Sequence, residues 1–494
     1  MNFEGMVRTA SIAPIWTIDG DWLEIARSCQ EQGGRLVSIW GSEAGKGFFV
    51  HAAYVFSEGM LIAKYHAEEG KYRSLSEIFP CASRMQRAVF DMLGIDHDGA
   101  DKRPWLSHGL WAFPLRKGDH PDQVPSGEDY PFVRVEGEGV HEIAVGPVHA
   151  GIIEPGHFRF QVVGEKVLRL EERLGFKHKG IEKTFEGMTI PEGAMLSARI
   201  SGDSTVAYAW AYAMAAEAAC GIKPSPRAGF LRGILLERER VANHLADLGA
   251  LGNDAGFAFG LAQFSAIRED MLRLNKAVFN HRLMMDLVVP GGVSKDIESD
   301  AKKWILDECA SIARKVQDLR EIYMDHTGLQ DRFLTTGKVE PDIAAKLGLT
   351  GLAGRASRNA ADIRADHPYF PYDGLDVAMA THHAGDVAAR VSVRFDELFE
   401  SLRLIGTMLE MLPDGETMQE IPPCSGFGAG WVEGFRGEIF VAIESEAGVI
   451  RRAHAHDPSW QNWPVLEFAV IGNIVPDFPL INKSFNLSYS GHDL

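Results

Sequence analysis

Long helical segments between residues 197 and 412 constrain the fold of this chain more than any other feature of its sequence. Apolar residues recur there at intervals of three and four, the spacing that places them on one face of a helix. The five predicted helices cover residues 206–219, 230–249, 264–285, 297–326 and 385–412. Helices that each bury one face must pack against one another, so the sequence predicts a helix bundle.

A small α/β domain is predicted before the bundle, at residues 1–118. Apolar runs at residues 36–40, 48–56 and 60–65 predict strands, whereas residues 21–32 and 74–93 have the pattern of amphipathic helices. Residues 117–130 are rich in glycine, aspartate and proline, which is typical of a linker. We therefore place a linker at residues 119–140 and a second domain at residues 141–494.

Strand-like segments lie on both sides of the bundle. PFVRVEG, HEIAV and HFRFQVVGEKVLRLEER, between residues 131 and 173, predict a short antiparallel sheet. EIFVAIES and GVIRRAHAH predict strands near the C-terminus, and residues 457–494, rich in Trp, Phe and Pro, are expected to pack against the rest. The predicted fold class is therefore α+β.

Charge and composition exclude several functional classes. The net charge of −18 repels phosphate backbones, so nucleic acid is not an expected partner. Residues 1–16 lack the pattern of a secretory or transit signal, and the most apolar stretch, residues 206–222, is too short to span a membrane. The five cysteines lie tens of residues apart and are predicted to be reduced, buried thiols. They are Cys29, Cys81, Cys220, Cys309 and Cys424.

Neither glycine-rich segment matches a nucleotide-binding loop. The segment from Gly41 to Gly47 has three residues between its first two glycines, where a P-loop has four, and no Ser or Thr follows its lysine. The segment from Gly426 to Gly430 lacks the dinucleotide spacing. Any reaction with NAD would therefore take place on another subunit.

Two further segments carry groups suited to proton exchange or ion pairing. GPVHAGIIEPGHFRF places His149, Glu154 and His157 in a predicted hairpin tip, either as proton-exchanging groups or as polar turn residues in water. LERERVANHLADLGAL places four polar groups at helical spacing, suited to a ladder of charge pairs or to a helix-to-helix contact network. These four are Glu237, Arg240, His244 and Asp247.

Seven segments, in order along residues 140–494, carry a resemblance to a known family. They are GPVHAGIIEPGHFRF, HKGIEK, RISGDSTVAY, LERERVANHLADLGALGNDAGF, GRASRNAADIRADHPYFPYD, WVEGFRGEI and NIVPDFPLINKSFNLSYSG. Together they resemble the large subunit of complex-I-like nickel-iron hydrogenases, the formate hydrogenlyase and hydrogenase-4 type, and the 49-kDa-type subunit of NADH:quinone oxidoreductase. RAVFDMLGI and FPLRKG in the first domain resemble the 30-kDa-type subunit, which is fused to the large subunit in the hydrogenlyase group.

The chain departs from the hydrogenases at the positions of the nickel ligands. The resemblance implies that two CxxC motifs supply four thiolates to nickel in those enzymes, and it aligns these positions with Ser201, Ser204, Ser488 and Gly491. Hydroxyls are too weakly acidic to replace thiolates, and glycine has no side chain. We therefore expect no nickel-iron centre and no other cofactor bound by this chain.

Glu182 aligns with a position that helps hold magnesium in the hydrogenases. Residues 491–494 do not end in the histidine that completes that site, so a salt-bridged structural role for Glu182 is the alternative.

The resemblance also implies a role in a membrane-associated, ion-translocating complex. Electrons would arrive from the iron-sulfur cluster of a small partner subunit and pass to a quinone, in a cavity faced by the hairpin residues with Asp203, Tyr208 and Arg436. The other partners would be peripheral-arm subunits and membrane ion-translocating subunits, with the chain on the cytoplasmic face of the membrane. Two alternatives stay open: a hydrogenase with unusual metal ligation, and a structural subunit without catalysis.

Overall fold

The computed structural model describes residues 6–8, 15–45, 47–106 and 130–494. FPLRKG at residues 113–118 and the first half of the predicted linker, residues 119–129, lie outside these ranges. Within them, the predicted α+β class is confirmed: a five-stranded sheet with two helices precedes a helix-rich body that carries two three-stranded sheets.

The N-terminal region is built on a sheet with the strand order β1-β2-β5-β4-β3, in which β2 and β5 are parallel and the other neighbours antiparallel. Its elements are β1 Val7–Arg8, β2 Ile15–Asp19, α1 Trp22–Glu31, β3 Arg35–Ala44, β4 Gly47–Phe56, β5 Gly59–His66, β6 Lys71–Tyr72, α2 Ala82–Leu93 and β7 Asp96–His97. Asp21 caps α1 by accepting a hydrogen bond from the backbone N–H of Glu24 at 2.8 Å.

Two of the sequence predictions for secondary structure are wrong, one in its extent and one altogether. The helix predicted for residues 74–93 begins only at Ala82, since Pro80 disfavours helical backbone in the residue before it. PFVRVEG forms no strand, and the sheet begins at β8. Its three antiparallel strands are β8 Val140–Val145, β9 His157–Val163 and β10 Lys166–Arg173.

The helical body contains the five predicted long helices, although α7 begins and ends six residues before the predicted range of 264–285. Its elements are α3 Ile181–Phe185, α4 Ile190–Ser197, α5 Thr205–Cys220, α6 Pro226–Asp254, α7 Ala258–Phe279, β11 Val288–Val289, β12 Gly292–Val293, α8 Ser299–Asp325, α9 Thr327–Phe333, α10 Pro341–Leu347, α11 Gly351–Arg355, α12 Ile363–Asp366 and α13 Val387–Met411. Ser225 caps α6, and Pro226 fits its first turn, where a backbone N–H is not needed. No helix in the described ranges is long and apolar enough to cross a membrane.

The C-terminal segment folds back onto both regions. Its elements are β13 Gly426–Glu433, β14 Glu438–Glu446, β15 Val449–His456, α14 Ser459–Ala469, α15 Phe478–Phe485 and α16 Tyr489–Asp493. Trp40 of β3 is stacked between His51 and His454, with ring centroids 4.9 Å apart on each side. Gln461 of α14 donates a hydrogen bond to the carbonyl oxygen of Val37. The N-terminal sheet is therefore packed directly against the C-terminal sheet.

Candidate functional site

The four positions aligned with nickel ligands meet in one buried cluster, which we call the serine cluster: Ser201, Ser204, Ser488 and Gly491. The hydroxyl oxygens of Ser201 and Ser488 are 2.9 Å apart and share a hydrogen bond. The Ser488 oxygen also accepts the backbone N–H of Gly491 at 2.8 Å, as the cap of α16. The N-terminal end of α5 and the C-terminal end of the chain therefore meet at this point.

Arg436 and Asp203 form an ion pair at one side of the serine cluster. Two guanidinium nitrogens of Arg436 donate to the Asp203 carboxylate, one of them at 2.9 Å, and the Ser204 hydroxyl lies 3.3 Å from the same guanidinium. Ser201 donates to Asp203 at 2.8 Å. The Asp203 side chain is 38% exposed and that of Arg436 only 6%, so the cluster approaches the surface at Asp203.

Tyr208 and Asp457 are fully buried beside the serine cluster. The Tyr208 hydroxyl donates to Asp457 at 2.8 Å, and burial together with this carboxylate raises the pKa of Tyr208 well above its usual value. A Cβ atom at position 491 would lie 2.4 Å from the same Asp457 oxygen. Gly491 is therefore required by packing against Asp457.

The hairpin tip that carries His149, Glu154 and His157 is only partly joined to the serine cluster. Glu154 accepts hydrogen bonds from the backbone N–H of Ser490 at 3.0 Å and from its hydroxyl, which ties the tip to α16. The His149 ring lies 6.2 Å from that of Tyr489. His157 instead faces away, with its Nε2 3.3 Å from Arg159 and its ring beside Phe132.

Glu182 lies apart from the serine cluster, against β15. Arg452 donates to one of its carboxylate oxygens at 2.6 Å, and His454 contacts the other. Burial opposes ionisation, but Arg452 and His454 outweigh it and lower the pKa of Glu182 to about 2. This geometry is that of a salt-bridged structural carboxylate.

A buried network of charges supports the segment that presents Arg436. Arg240 of α6 donates to Glu397 of α13 at 2.6 Å and to the carbonyl oxygen of Gly434 at 2.6 Å. Arg355 donates to Glu397 and Glu433, each at 2.8 Å. These guanidiniums and carboxylates are almost fully buried, so the network fixes the end of β13 just before Arg436.

The polar residues of LERERVANHLADLGAL mainly contact other elements. Glu237 accepts a hydrogen bond from Arg364 at 2.9 Å, and Asp247 accepts one from Arg394 at 3.1 Å. Within the helix, Glu237 and Arg240 are 3.5 Å apart. Of the two interpretations of this segment, the helix-to-helix network is the one that the contacts match.

Three residues of this region were not identified from the sequence. Asp457 and Ser490 lie in the tail that was expected only to pack. Glu239 of α6 accepts the backbone N–H groups of Val206 and Ala207 at 2.7 and 3.1 Å, and burial raises its pKa to about 8. The HDPS sequence at residues 456–459 was a usable signal, because Asp followed by Pro and Ser is typical of a helix start.

The donor atoms of the serine cluster do not match a nickel-iron centre. Nickel and iron in such centres require soft thiolates, whereas this cluster offers three hydroxyls and a glycine. The Ser201 and Ser488 hydroxyls already hydrogen-bond each other, and that of Ser204 faces Arg436. Across the described ranges, no group of three or more His, Cys, Asp or Glu side chains is placed to hold a metal ion.

The prediction of five reduced, buried thiols is wrong for two cysteines. Cys220 and Cys424 form a disulfide, with their Cα atoms 5.3 Å apart. A separation of 204 residues gave no sign of this pairing, which depends on how α5 packs against β13. The other three cysteines, Cys29, Cys81 and Cys309, are free and buried as predicted.

Two family models match separate parts of the chain. Residues 15–123 match the model of the respiratory-chain NADH dehydrogenase 30 Kd subunit, and residues 254–426 match that of the 49 Kd subunit. The first contains the N-terminal sheet from β2 onward, and the second extends from the end of α6 to the start of β13.

Individual relatives cover most of the chain. Formate hydrogenlyase subunit 5 of Escherichia coli (strain K12) is 31% identical over 94% of this chain and 85% of its own length. The C/D component of NADH-quinone oxidoreductase from Bacteroides thetaiotaomicron is 28% identical over 77% of each chain. A chain of the membrane-bound sulfane sulfur reductase, an archaeal respiratory membrane complex, superposes with a TM-score of 0.68 at 26% identity, over 72% of this chain and 99% of its own. The chain therefore belongs to the family of fused 30-kDa-like and 49-kDa-like subunits of complex-I-like oxidoreductases, which includes the large subunits of related hydrogenases.

Proposed function

We propose that this chain is a peripheral-arm subunit of a membrane-associated, complex-I-like oxidoreductase that reduces a quinone-like acceptor without a metal at the serine cluster. Electrons would come from the iron-sulfur cluster of a small partner subunit, and the reaction would be coupled to ion translocation by membrane subunits. The observation that carries this proposal is the direct contact of Ser201 with Ser488, in a family whose hydrogenases need thiolates at these positions.

Arg436, Asp203 and Tyr208 supply the groups that quinone reduction requires. Reduction of a quinone to a quinol consumes two electrons and two protons, and negative charge develops on the quinone oxygens. The guanidinium of Arg436 would stabilise that charge at short range, since buried charges interact strongly. Tyr208, whose hydroxyl donates to Asp457 at 2.8 Å, would supply one of the two protons, and the other would come from water at the exposed side of Asp203.

The acceptor would be bound at the surface next to Asp203, in a site that a partner subunit helps to enclose. A cavity of about 90 Å³ lies there, lined by residues that include Asp203, Glu239, Asn243 and Arg268. Small-molecule sites commonly enclose roughly 300 Å³ or more, so this cavity is too small for a quinone ring on its own. A cavity enclosed by the small iron-sulfur subunit would also bring its cluster close to the acceptor.

The proposed partners define the proposed location. They are the small iron-sulfur subunit, other peripheral-arm subunits and the membrane ion-translocating subunits. Through them the chain would lie on the cytoplasmic face of the cell membrane. Protonation at the serine cluster and movement of the hairpin would couple electron transfer to the membrane subunits, because Glu154 connects the hairpin to α16.

The test is quinone reduction by the purified complex, with Arg436→Gln as the main variant. Loss of the guanidinium should lower kcat/KM at least tenfold, which corresponds to about 1.4 kcal/mol of transition-state stabilisation. Arg451→Gln is the matched control, because Arg451 is 66% exposed on β15 and should leave the rate unchanged. Equal rates in both variants, with all subunits still present, would rule out a role of Arg436 in the reaction.

The hairpin is tested separately with His157→Ala and Glu154→Gln. Both variants should slow quinone reduction, whereas His141→Ala, at an exposed position on β8 of the same sheet, should not. Full activity in both hairpin variants would count against any part of the hairpin in the reaction.

One observation favours a second candidate, a structural subunit without catalysis. The hydroxyl groups of Ser201 and Ser488 are in direct contact, which leaves no room for a ligand atom between them. In that case Arg436→Gln would change assembly of the complex but not the activity of the complexes that do assemble. The rate per assembled complex therefore separates the two candidates.

A further inference from the structure

Helix α5 and strand β13 form one antiparallel unit that extends from the serine cluster to the Cys220–Cys424 pair. Helix α5 begins at Thr205, next to Ser204, and its 16 residues span about 24 Å. Strand β13 runs back along it from Gly426 to Glu433, three residues before Arg436. The two elements therefore hold Asp203 and Arg436 at one shared end.

Alternate glycines of β13 allow this strand to lie directly on the helix backbone. A Cβ atom at any of these glycines would come within 2.5 Å of a carbonyl oxygen of an alanine on α5. The three pairs are Gly426 with Ala219, Gly428 with Ala215 and Gly430 with Ala211. With no side chain between them, a displacement of one element is passed to the other.

The far end of this unit is closed by Cys220 and Cys424. Cys220 is the last residue of α5, and Cys424 lies two residues before β13. Both cysteines are partly exposed, in contrast to Cys29, Cys81 and Cys309, which are buried. The Cα separation of 5.3 Å lies in the ordinary range for a disulfide, so both the bonded and the dithiol form fit this backbone.

We propose that Cys220 and Cys424 are a thiol–disulfide exchange site that controls the position of Arg436. The structure holds the oxidised form of the pair. The reducing cytoplasm, a location that rests on the proposed function, would convert it to two thiols until an oxidising disulfide reagent arrives. A thiolate of one cysteine attacks a small-molecule or protein disulfide and forms a mixed disulfide. The second cysteine then displaces the remaining thiol, so the pair loses two electrons and two protons while the reagent disulfide becomes two thiols.

The oxidised pair fixes the far end of β13 on α5, and the charge network and the Asp203 ion pair fix its near end. Residues 413–425, which precede β13, are mostly exposed. Besides the disulfide, hydrogen bonds hold this segment to the body, and their partners include Ser225, Arg227 and Gly291. Reduction therefore removes the covalent tie at one end of the strand. We expect the Arg436–Asp203 geometry to loosen as a result.

The first measurement is the number of free thiols in the purified complex, which does not depend on any quinone activity. The complex is first treated with dithiothreitol or with oxidised glutathione, and is then denatured and labelled with a maleimide polymer. We expect five labels on this chain after dithiothreitol and three after oxidised glutathione. The linked peptides should contain Cys220 and Cys424. Five labels after oxidised glutathione would overturn the proposal.

The second measurement asks whether the bond affects β13. Amide hydrogen exchange across residues 412–437 should be at least threefold faster in the reduced complex than in the oxidised one. Cys220→Ser with Cys424→Ser should exchange at the reduced rate with or without oxidant, whereas Cys309→Ser should respond as the natural chain does. Equal exchange in both redox states would refute control of β13. If instead the purified complex did not reduce quinone at all, the proposed function would be refuted, and the thiol count and the exchange rates would still test the disulfide.

Discussion

Replacement of Gly428 by alanine tests the contact between β13 and α5 most severely. The added Cβ atom would lie 2.0 Å from the carbonyl oxygen of Ala215 and 2.5 Å from the backbone nitrogen of Ala219. Both are backbone atoms of a buried helix, so neither can rotate away. The strand must move off the helix by more than about 1 Å to reach an ordinary contact distance.

The expected loss in the free energy of unfolding is about 2–3 kcal/mol, near the upper end for over-packed cores. Alanine restricts the unfolded chain more than glycine does, and this offsets about 0.5–1 kcal/mol of the strain. The loss is measured by urea unfolding of the purified chain, or by the drop in Tm of the complex. Quinone reduction should also fall, because displacement of β13 moves Arg436.

Gly374→Ala is the matched control, because a Cβ atom there meets no atom within 4 Å. It should change the free energy of unfolding by less than about 0.5 kcal/mol. If Gly428→Ala were as stable and as active as this control, the reasoning that glycine permits the helix–strand contact would be refuted.

Three further predictions concern buried charge. Glu397→Gln leaves Arg240 and Arg355 without their shared carboxylate and should lower the free energy of unfolding by about 3–5 kcal/mol, measured by urea unfolding. Glu239 holds its proton more tightly in the folded chain, with a pKa of about 8 against 4.5, so stability should fall as pH rises from about 4.5 to about 8, and Glu239→Gln should remove this fall in a series of Tm measurements. Glu182 has the opposite effect, because its pKa falls from 4.5 in the unfolded chain to about 2 in the folded one, so its ionised form stabilises the fold above pH 4.5. Glu182→Gln should therefore lower the Tm at pH 7 but not near pH 2.

The sequence predicted the fold well wherever one local pattern decided the structure. The five long predicted helices agree with α5, α6, α7, α8 and α13 to within a few residues at most ends, because apolar spacing and capping residues are local signals. The errors arose where local signals conflict. Residues 74–81 have helical spacing but also contain Pro80, and PFVRVEG alternates like a strand but finds no partner in the described sheet.

The candidate site was predictable only as far as the resemblance extended. The resemblance grouped four positions that the structure places in one cluster, namely Ser201, Ser204, Ser488 and Gly491. It could not show that Tyr208 pairs with Asp457, since no pattern relates residues 249 positions apart. The Cys220–Cys424 pair was missed for the same reason, and the reactive roles of His149, Glu154 and His157 stay predictions.

Nickel analysis of the purified complex tests the central claim most directly. The complex is isolated from cells supplied with nickel, and its metals are counted per chain by mass spectrometry. Since the serine cluster offers hydroxyls and a glycine in place of thiolates, nickel should be far below one atom per chain, with iron accounted for by the clusters of partner subunits. One nickel per chain, lost on replacement of Ser201 or Ser488 by alanine, would contradict the account.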